Sequence, residues 1–208
     1  MKQTVRTAIL LSFACSALAA FSNFAEAQKI DVAFGVSTTI APSASFVGGV
    51  ESAPSLTGGA YPGVSGDFLF YHNLGVGAEV FWKATSVGCS DSICGVDSGI
   101  SYRPVFYNFN AVYSPKLASH VYAELVGGVG ALDTHYSACT LSGVSCGGSQ
   151  LISSSDHFDV DLGGGIKIYL SHGFFVRPEA RFYWINNNTD FSANHATRVG
   201  ASIGYTFR

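Results

Sequence analysis

The stretch Arg198-Val199-Gly200-Ala201-Ser202-Ile203-Gly204-Tyr205-Thr206-Phe207-Arg208 sorts its side chains by parity. Val199, Ala201, Ile203, Tyr205 and Phe207 share one face, and Gly200, Ser202, Gly204 and Thr206 share the other. A period of two belongs to an extended strand. With one apolar and one polar face, such a strand can separate hydrocarbon from a polar interior. The same period returns through most of the chain, with Gly or charge on the second face, so the unit to explain is one closed sheet.

Working back from the C-terminus, the alternation predicts strands over Phe174 to Ile185, Phe158 to Leu170, Val121 to Ala131, Ile100 to Tyr113, Leu74 to Trp82, Tyr61 to Phe70 and Ile30 to Thr38. Tyr71-His72-Asn73 joins two of them as the clearest hairpin. Pro104 is expected to force a bulge near one end of its strand, because proline cannot donate to a ladder. The connections alternate in length: 71 to 73, 114 to 120 and 171 to 173 are tight, whereas 39 to 60, 84 to 99, 132 to 157 and 186 to 197 are long and polar. An even strand count with this alternation predicts an all-β fold, an eight-stranded antiparallel up-and-down transmembrane barrel with short periplasmic turns and long extracellular loops.

Alternation alone leaves open which face points out, since a soluble barrel with an apolar lumen has the same period. Glycines crowd the polar face, which suits a cramped lumen. Aromatic residues end the strands on the apolar face, Phe70, Tyr113, Phe174 and Phe207 at the turn side and Trp82 and Trp184 at the loop side, as two interfacial girdles require. Charged residues make up only 12% of the chain, against roughly 25% in soluble domains.

The 208 residues suit one domain. A net charge of -3 with no basic runs excludes a nucleic-acid surface. Lys2 and Arg6, the apolar run from Ala8 to Ala20 and then Ala25-Glu26-Ala27 read as a signal peptide over 1 to 27, cut near Ala27-Gln28. The barrel domain is then 28 to 208, and its expected location is the bacterial outer membrane. Cys15 leaves with the signal. Cys89, Cys94, Cys139 and Cys146 fall as two local pairs in polar loops, predicting the bridges Cys89 to Cys94 and Cys139 to Cys146. Four free thiols are the alternative.

From Ile30 to Arg208 the chain resembles the outer-membrane β-barrel superfamily typified by the OmpA transmembrane domain and OmpX. The matching pieces are Gly75-Val76-Gly77-Ala78-Glu79 after a short turn, Arg177-Pro178-Glu179-Ala180-Arg181-Phe182, and Gly204-Tyr205-Thr206-Phe207. The resemblance implies recognition of the last strand by the barrel-assembly machinery, although Arg208 follows the aromatic residue at which family members usually stop. Outer-membrane lipid and lipopolysaccharide are the expected surroundings of a monomer; no cofactor, metal or cell-wall tether is expected.

The lumen face gathers Asp31, Asp67, Glu79, Glu124, Asp159, Asp161 and Glu179 with Lys167, Arg177, Arg181 and Arg198. An eight-stranded interior holds little more than side chains, so these charges are expected to pair across a filled lumen. The 171 to 173 turn sets Lys167 beside Arg177 and diagonal to Glu179. Asp159 and Asp161 are expected to pair with Arg177, Arg181 or Arg198 rather than act as an acid/base dyad. Phe46, Val47 and Leu56 are expected on a loop surface. These features favour a non-enzymatic envelope or surface-interaction protein. One alternative is a narrow cation-preferring pore, since acids outnumber bases. Another is a lipid-modifying enzyme like the outer-membrane lipid A deacylases, but no His-x-Ser pair lies on an outward strand. Ser192 and His195 share only a loop, and His135, His157 and His195 could meet at a metal only by loop packing.

Overall fold

In the computed structural model the described residues are 28–47, 50–85, 87–88, 100–142 and 145–208. Among them, eight long strands close on themselves: β1 (Lys29–Ile40), β2 (Tyr61–Tyr71), β3 (Leu74–Trp82), β4 (Ile100–Tyr113), β5 (Val121–Ser142), β6 (Ser145–Ser171), β7 (Phe174–Ile185) and β8 (His195–Phe207). All neighbours are antiparallel. Closure comes from β8 on β1, Ile30 facing Phe207 and Ile40 facing Thr197, and from the sequential ladder that runs on through β4 and β5. A closed sheet has no free edge along its length.

The two-residue period becomes two surfaces. In β1 the odd positions Asp31, Ala33, Gly35, Ser37 and Thr39 are buried and the even positions from Ile30 to Ile40 are exposed. The other strands repeat this, so Val32, Val76, Phe109, Leu162 and Ile203 point outward and form an apolar band around the barrel. The aliphatic rows do not meet at the centre; the charges do.

Two hairpin turns have the chemistry their backbone demands. In Tyr71-His72-Asn73-Leu74 both central residues have positive φ, 43° and 67°, and in Ser171-His172-Gly173-Phe174 the values are 45° and 94°. Two left-handed central residues make the tight turn whose twist matches the flanking strands.

The structure departs from the sequence reading in several places: short strands pair inside expected connections, Ser45–Val47 with Val50–Ala53 and Lys116–Ala118 with β5, and two departures concern the wall itself. Residues 132 to 157, expected as a long loop, instead continue the β5–β6 ladder from Phe158↔Ala131 through His157↔Leu132 to Ser145↔Ser142. The two strands are 22 and 27 residues long, well beyond the roughly 9–11 that cross a bilayer; residues 132–138 stay in the wall beside β4, and past Ala138 β5 and β6 pair with each other. Ser and Gly there read as loop composition, but cross-strand pairing with β4 as far as Ile100↔Ala138 holds the segment extended. Pro104 causes no bulge: register is unbroken from Phe106↔Leu132 through Pro104↔Thr134. Its carbonyl accepts from Lys83 N at 3.0 Å just where β3 has ended, so the ring displaces no ladder donor.

Lumen glycines are set by space. A Cβ on Gly130 would overlap the Tyr107 carbonyl oxygen and the Asn108 amide. Because the first obstacle is backbone, Gly130→Ala is expected to cost about 1–3 kcal/mol, as overpacking does. The urea midpoint of the compact band on unboiled gels should fall accordingly, and an unchanged midpoint would show that the ladder yields freely there.

Candidate functional site: the filled lumen

Every strand feeds the interior. β1 brings Asp31, β2 Asp67 and Ser65, β3 Glu79, β4 Asn108 and Asn110, and β5 Glu124. β6 brings Asp159, Asp161 and Lys167, β7 Arg177, Glu179 and Arg181, and β8 Arg198 and Ser202. All are buried.

Two ion clusters are stacked along the axis. Nearer the turns, Lys167 Nζ lies 2.6 Å from Asp31 Oδ2 and 3.5 Å from Asp67 Oδ2, and also contacts Glu124. Arg177 binds Glu124 at 2.8 Å, Asp67 at 3.3 Å and Glu179 at 3.0 Å, and donates to Ser65 Oγ at 2.7 Å and Ser202 Oγ at 3.1 Å. Nearer the loops, Glu79 is held by Arg181 and Arg198, each at 3.0 Å, and accepts from the Tyr183 hydroxyl at 3.0 Å. Arg181 also reaches Asp161 at 3.2 Å. Glu179 joins the clusters, 3.0 Å from Arg177 and 3.6 Å from Arg198. Removing an ion from water costs several kcal/mol, and sharing each cation among two or three carboxylates is how this interior offsets that cost.

The pairing differs from the diagonal set by the turn. Lys167 ends opposite Arg177, yet its partners are Asp31, Asp67 and Glu124 rather than Glu179. The lumen is narrow enough for its long stem to reach across, and like charge at Arg177 repels its head from that side. Asp159 meets no arginine within ion-pair distance among the described residues; it accepts instead from Asn108 Nδ2 at 2.6 Å, an amide that also donates to Asp161 at 3.2 Å. Asn108 and Asn110 carried no charge signal, although their inward parity placed them beside the acids.

Both ends of the charge column are sealed by apolar side chains. Arg198 stacks its guanidinium 3.5 Å from the Phe81 ring centroid, a cation–π contact. Above it Phe81, Phe106, Leu132, Tyr183 and Ile185 are no more than 1% exposed. Phe106 lies 4.8 Å from Tyr183 and 6.2 Å from Tyr61 between ring centroids. Two loop residues complete this cap. Phe191 enters from 186–194 against Tyr102, centroids 5.7 Å apart, and Leu56 enters from the loop after β1, its carbonyl accepting from the Thr39 hydroxyl. Leu56 is therefore core and not loop surface. The Phe46 and Val47 side chains lie outside the described set. Toward the turns Leu69, Val112 and Val126 close the other end.

The girdle aromatics stand on the outer face. Phe174, Phe207 and Tyr113 are exposed at the turn end and Trp184 at the loop end, with Phe70 and Trp82 half-buried. Cys89 and Cys94 lie outside the described residues. Cys139 and Cys146 sit in β5 and β6, and their side chains lie outside them.

β5 runs further than expected and so carries His135-Tyr136-Ser137 with His135 and Ser137 on its outward parity: a His-x-Ser pair does stand on an outward strand, against the expectation from sequence. Among the described residues, however, no histidine is hydrogen-bonded to a serine through one ring nitrogen and to a carboxylate through the other. His157 Nε2 lies 3.1 Å from both Ser155 Oγ and Asp190 Oδ2. Nucleophilic activation needs the serine on one ring nitrogen and the carboxylate on the other; here one nitrogen meets both, so a proton given to Asp190 leaves no base for Ser155. The contact is a latch that holds the 186–194 loop, and burial, then the Asp190 carboxylate, push the neighbouring Tyr136 phenol upward. His135 binds Asp133 at 2.6 Å on the outer face and His195 stacks on Phe182, so the three loop histidines stand apart.

No protein-family model and no curated protein matches the chain. Solved structures do. A major outer membrane protein from Thermus thermophilus aligns with a TM-score of 0.60 at 13% identity, over 88% of this chain and 100% of that one. Ail, the attachment invasion locus protein of Yersinia pestis, solved with the heparin analogue sucrose octasulfate, gives 0.52 at 12% identity, over 86% and 97%. OprG of Pseudomonas aeruginosa gives 0.51 at 14%, over 88% and 97%. The chain has the fold of the small outer-membrane β-barrels. At these identities the likeness covers architecture alone, and what the barrel does must be argued from its own residues.

Proposed function

We propose that this protein is a non-enzymatic integral barrel of the bacterial outer membrane, exported by its first 27 residues, whose filled lumen makes it a scaffold for envelope integrity or surface interaction. The observation that carries this reading is the column of shared ion pairs capped by fully buried rings: it leaves a rigid cylinder with its chemistry turned inward and an apolar band turned outward. Loop residues 54 to 58 and 186 to 194 are tied into that cylinder by Leu56, Phe191 and the His157–Asp190 contact, so the rim they present is held in place.

The rim differs in charge from what a polyanion such as sucrose octasulfate would need. Among the described residues whose side chains are placed, the loop-end segments carry Asp133, Asp156 and Asp190 against Arg103 and the buried Lys83. A partner of this rim is therefore neutral or basic, by complementarity. Mass spectra of lipid A incubated with the refolded protein should stay unchanged.

The competing class is a pore. In planar bilayers the wild-type barrel is expected to give no stepwise current, because conduction would have to open both the Glu79–Arg181–Arg198 cluster and the Phe81–Phe106–Tyr183 cap. Unitary steps that change when Glu79 is made Ala would replace this proposal with transport.

A further inference from the structure

The two ends of the barrel differ in charge. At the short-turn end the segments at 28–30, 71–74, 114–121, 171–174 and 205–208 contain Lys29, Lys116 and Arg208, the histidines His72, His120 and His172, and no Asp or Glu. The acids nearest to them, Asp31 and Asp67, are buried and already engaged by Lys167. A concavity of about 470 Å3 opens at this end between the β4–β5 turn, the β6–β7 turn and the end of β8. Ser119, His120, His172 and Arg208 line it and are exposed.

Its roof is already satisfied. Tyr122 and Tyr169 pack with ring centroids 5.3 Å apart, and the Tyr169 and Thr206 hydroxyls bond each other at 2.8 Å. At its rim His120 Nδ1 and Ser119 Oγ bond each other at 3.2 Å, and His172 and Arg208 are exposed. Leu170 and Tyr205, which also line it, belong to the outward rows, where Leu170 is 61% exposed beside Phe174 and Phe207. The hollow thus runs without a break from the apolar outer face to a group of hydrogen-bond donors that includes a guanidinium.

We propose that this hollow holds the phosphate headgroup of a glycerophospholipid, with its acyl chains against Leu170, Phe174 and Phe207. Arg208 offers the planar fork that matches phosphate oxygens, His172 adds a ring N–H, and the Ser119–His120 pair, bonded to each other at 3.2 Å, adds the one donor that this bond leaves free. The apolar wall selects a lipid over free phosphate, which would leave Leu170 and Tyr205 unused. The assignment rests on the membrane reading above and refines it by giving the turn end a specific lipid contact.

The test uses the full mature chain refolded into phosphatidylcholine nanodiscs doped with phosphatidylglycerol, followed by native mass spectrometry to count retained lipid. The comparison is the variant Arg208→Gln, His120→Gln, His172→Asn, whose sites are exposed and whose Asn tolerates the left-handed turn. Wild type is expected to retain one phospholipid of either headgroup, and the variant to hold it about tenfold more weakly, both showing the same heat-dependent gel shift. Equal retention with intact gel shifts overturns the site and leaves the barrel reading standing. Variant-sensitive binding of inorganic phosphate, seen by 31P NMR with no retained lipid, overturns the lipid assignment in favour of a free-anion site. Failure of wild type to enter nanodiscs or to show a gel shift overturns the membrane reading itself.

Discussion

A barrel carrying Arg177→Met should lose about 3–5 kcal/mol, the cost of breaking a buried ion network from one side. Arg177 is fully buried and contacts Asp67, Glu124, Glu179, Ser65 and Ser202. Without it, the carboxylates of Asp31, Asp67, Glu124 and Glu179 are left to Lys167 and the more distant Arg198. Adding Glu124→Gln to the same chain removes one stranded charge and should recover part of the loss, because residues in one network do not act additively. The measurement is the urea midpoint of the compact gel species in lipid vesicles for the two single variants and the double. Additive losses across the cycle would show that the column is a set of independent contacts.

Leu162→Arg should be the second most costly substitution, although Leu162 is 71% exposed and touches little. On a soluble barrel such a surface change falls within about 0.5 kcal/mol. On a barrel whose outer face meets hydrocarbon near mid-depth it should cost about 2–4 kcal/mol. Leu162 pairs with Phe182 on one side and Gly127 on the other, at the level of the Asp161–Arg181 bridge, so the new guanidinium has no short route to either interface. A small loss in vesicles would mean that the outward band is not facing acyl chains.

Much of this was legible because a strand in a closed barrel repeats one rule. β4 and β7 begin and end where alternation placed them, since each runs from a turn signal to a break in parity. Inward parity also gathered the acids and bases onto one surface before any partner was known. What alternation could not carry was distance across the lumen. Lys167 finds Asp31, far away in the chain, because β1 and β6 face each other over a narrow interior, and no local spacing encodes that. The ladder at 132 to 157 was hidden for a different reason: its Ser and Gly content reads as loop, and its extended form depends on long-range pairing with β4. Leu56 and Phe191 were single apolar residues in polar loops, and only the shape of the open cap shows why each is there.

The central claim is which surface faces lipid. Nuclear Overhauser contacts between leucine, isoleucine or valine methyls and acyl-chain methylenes in nanodiscs test it directly. The account predicts contacts from Val32, Val76, Leu125, Leu162 and Ile203 and none from Leu69, Val112, Val126 and Leu132. Acyl contacts from the second group, or water contacts along the first, would contradict it.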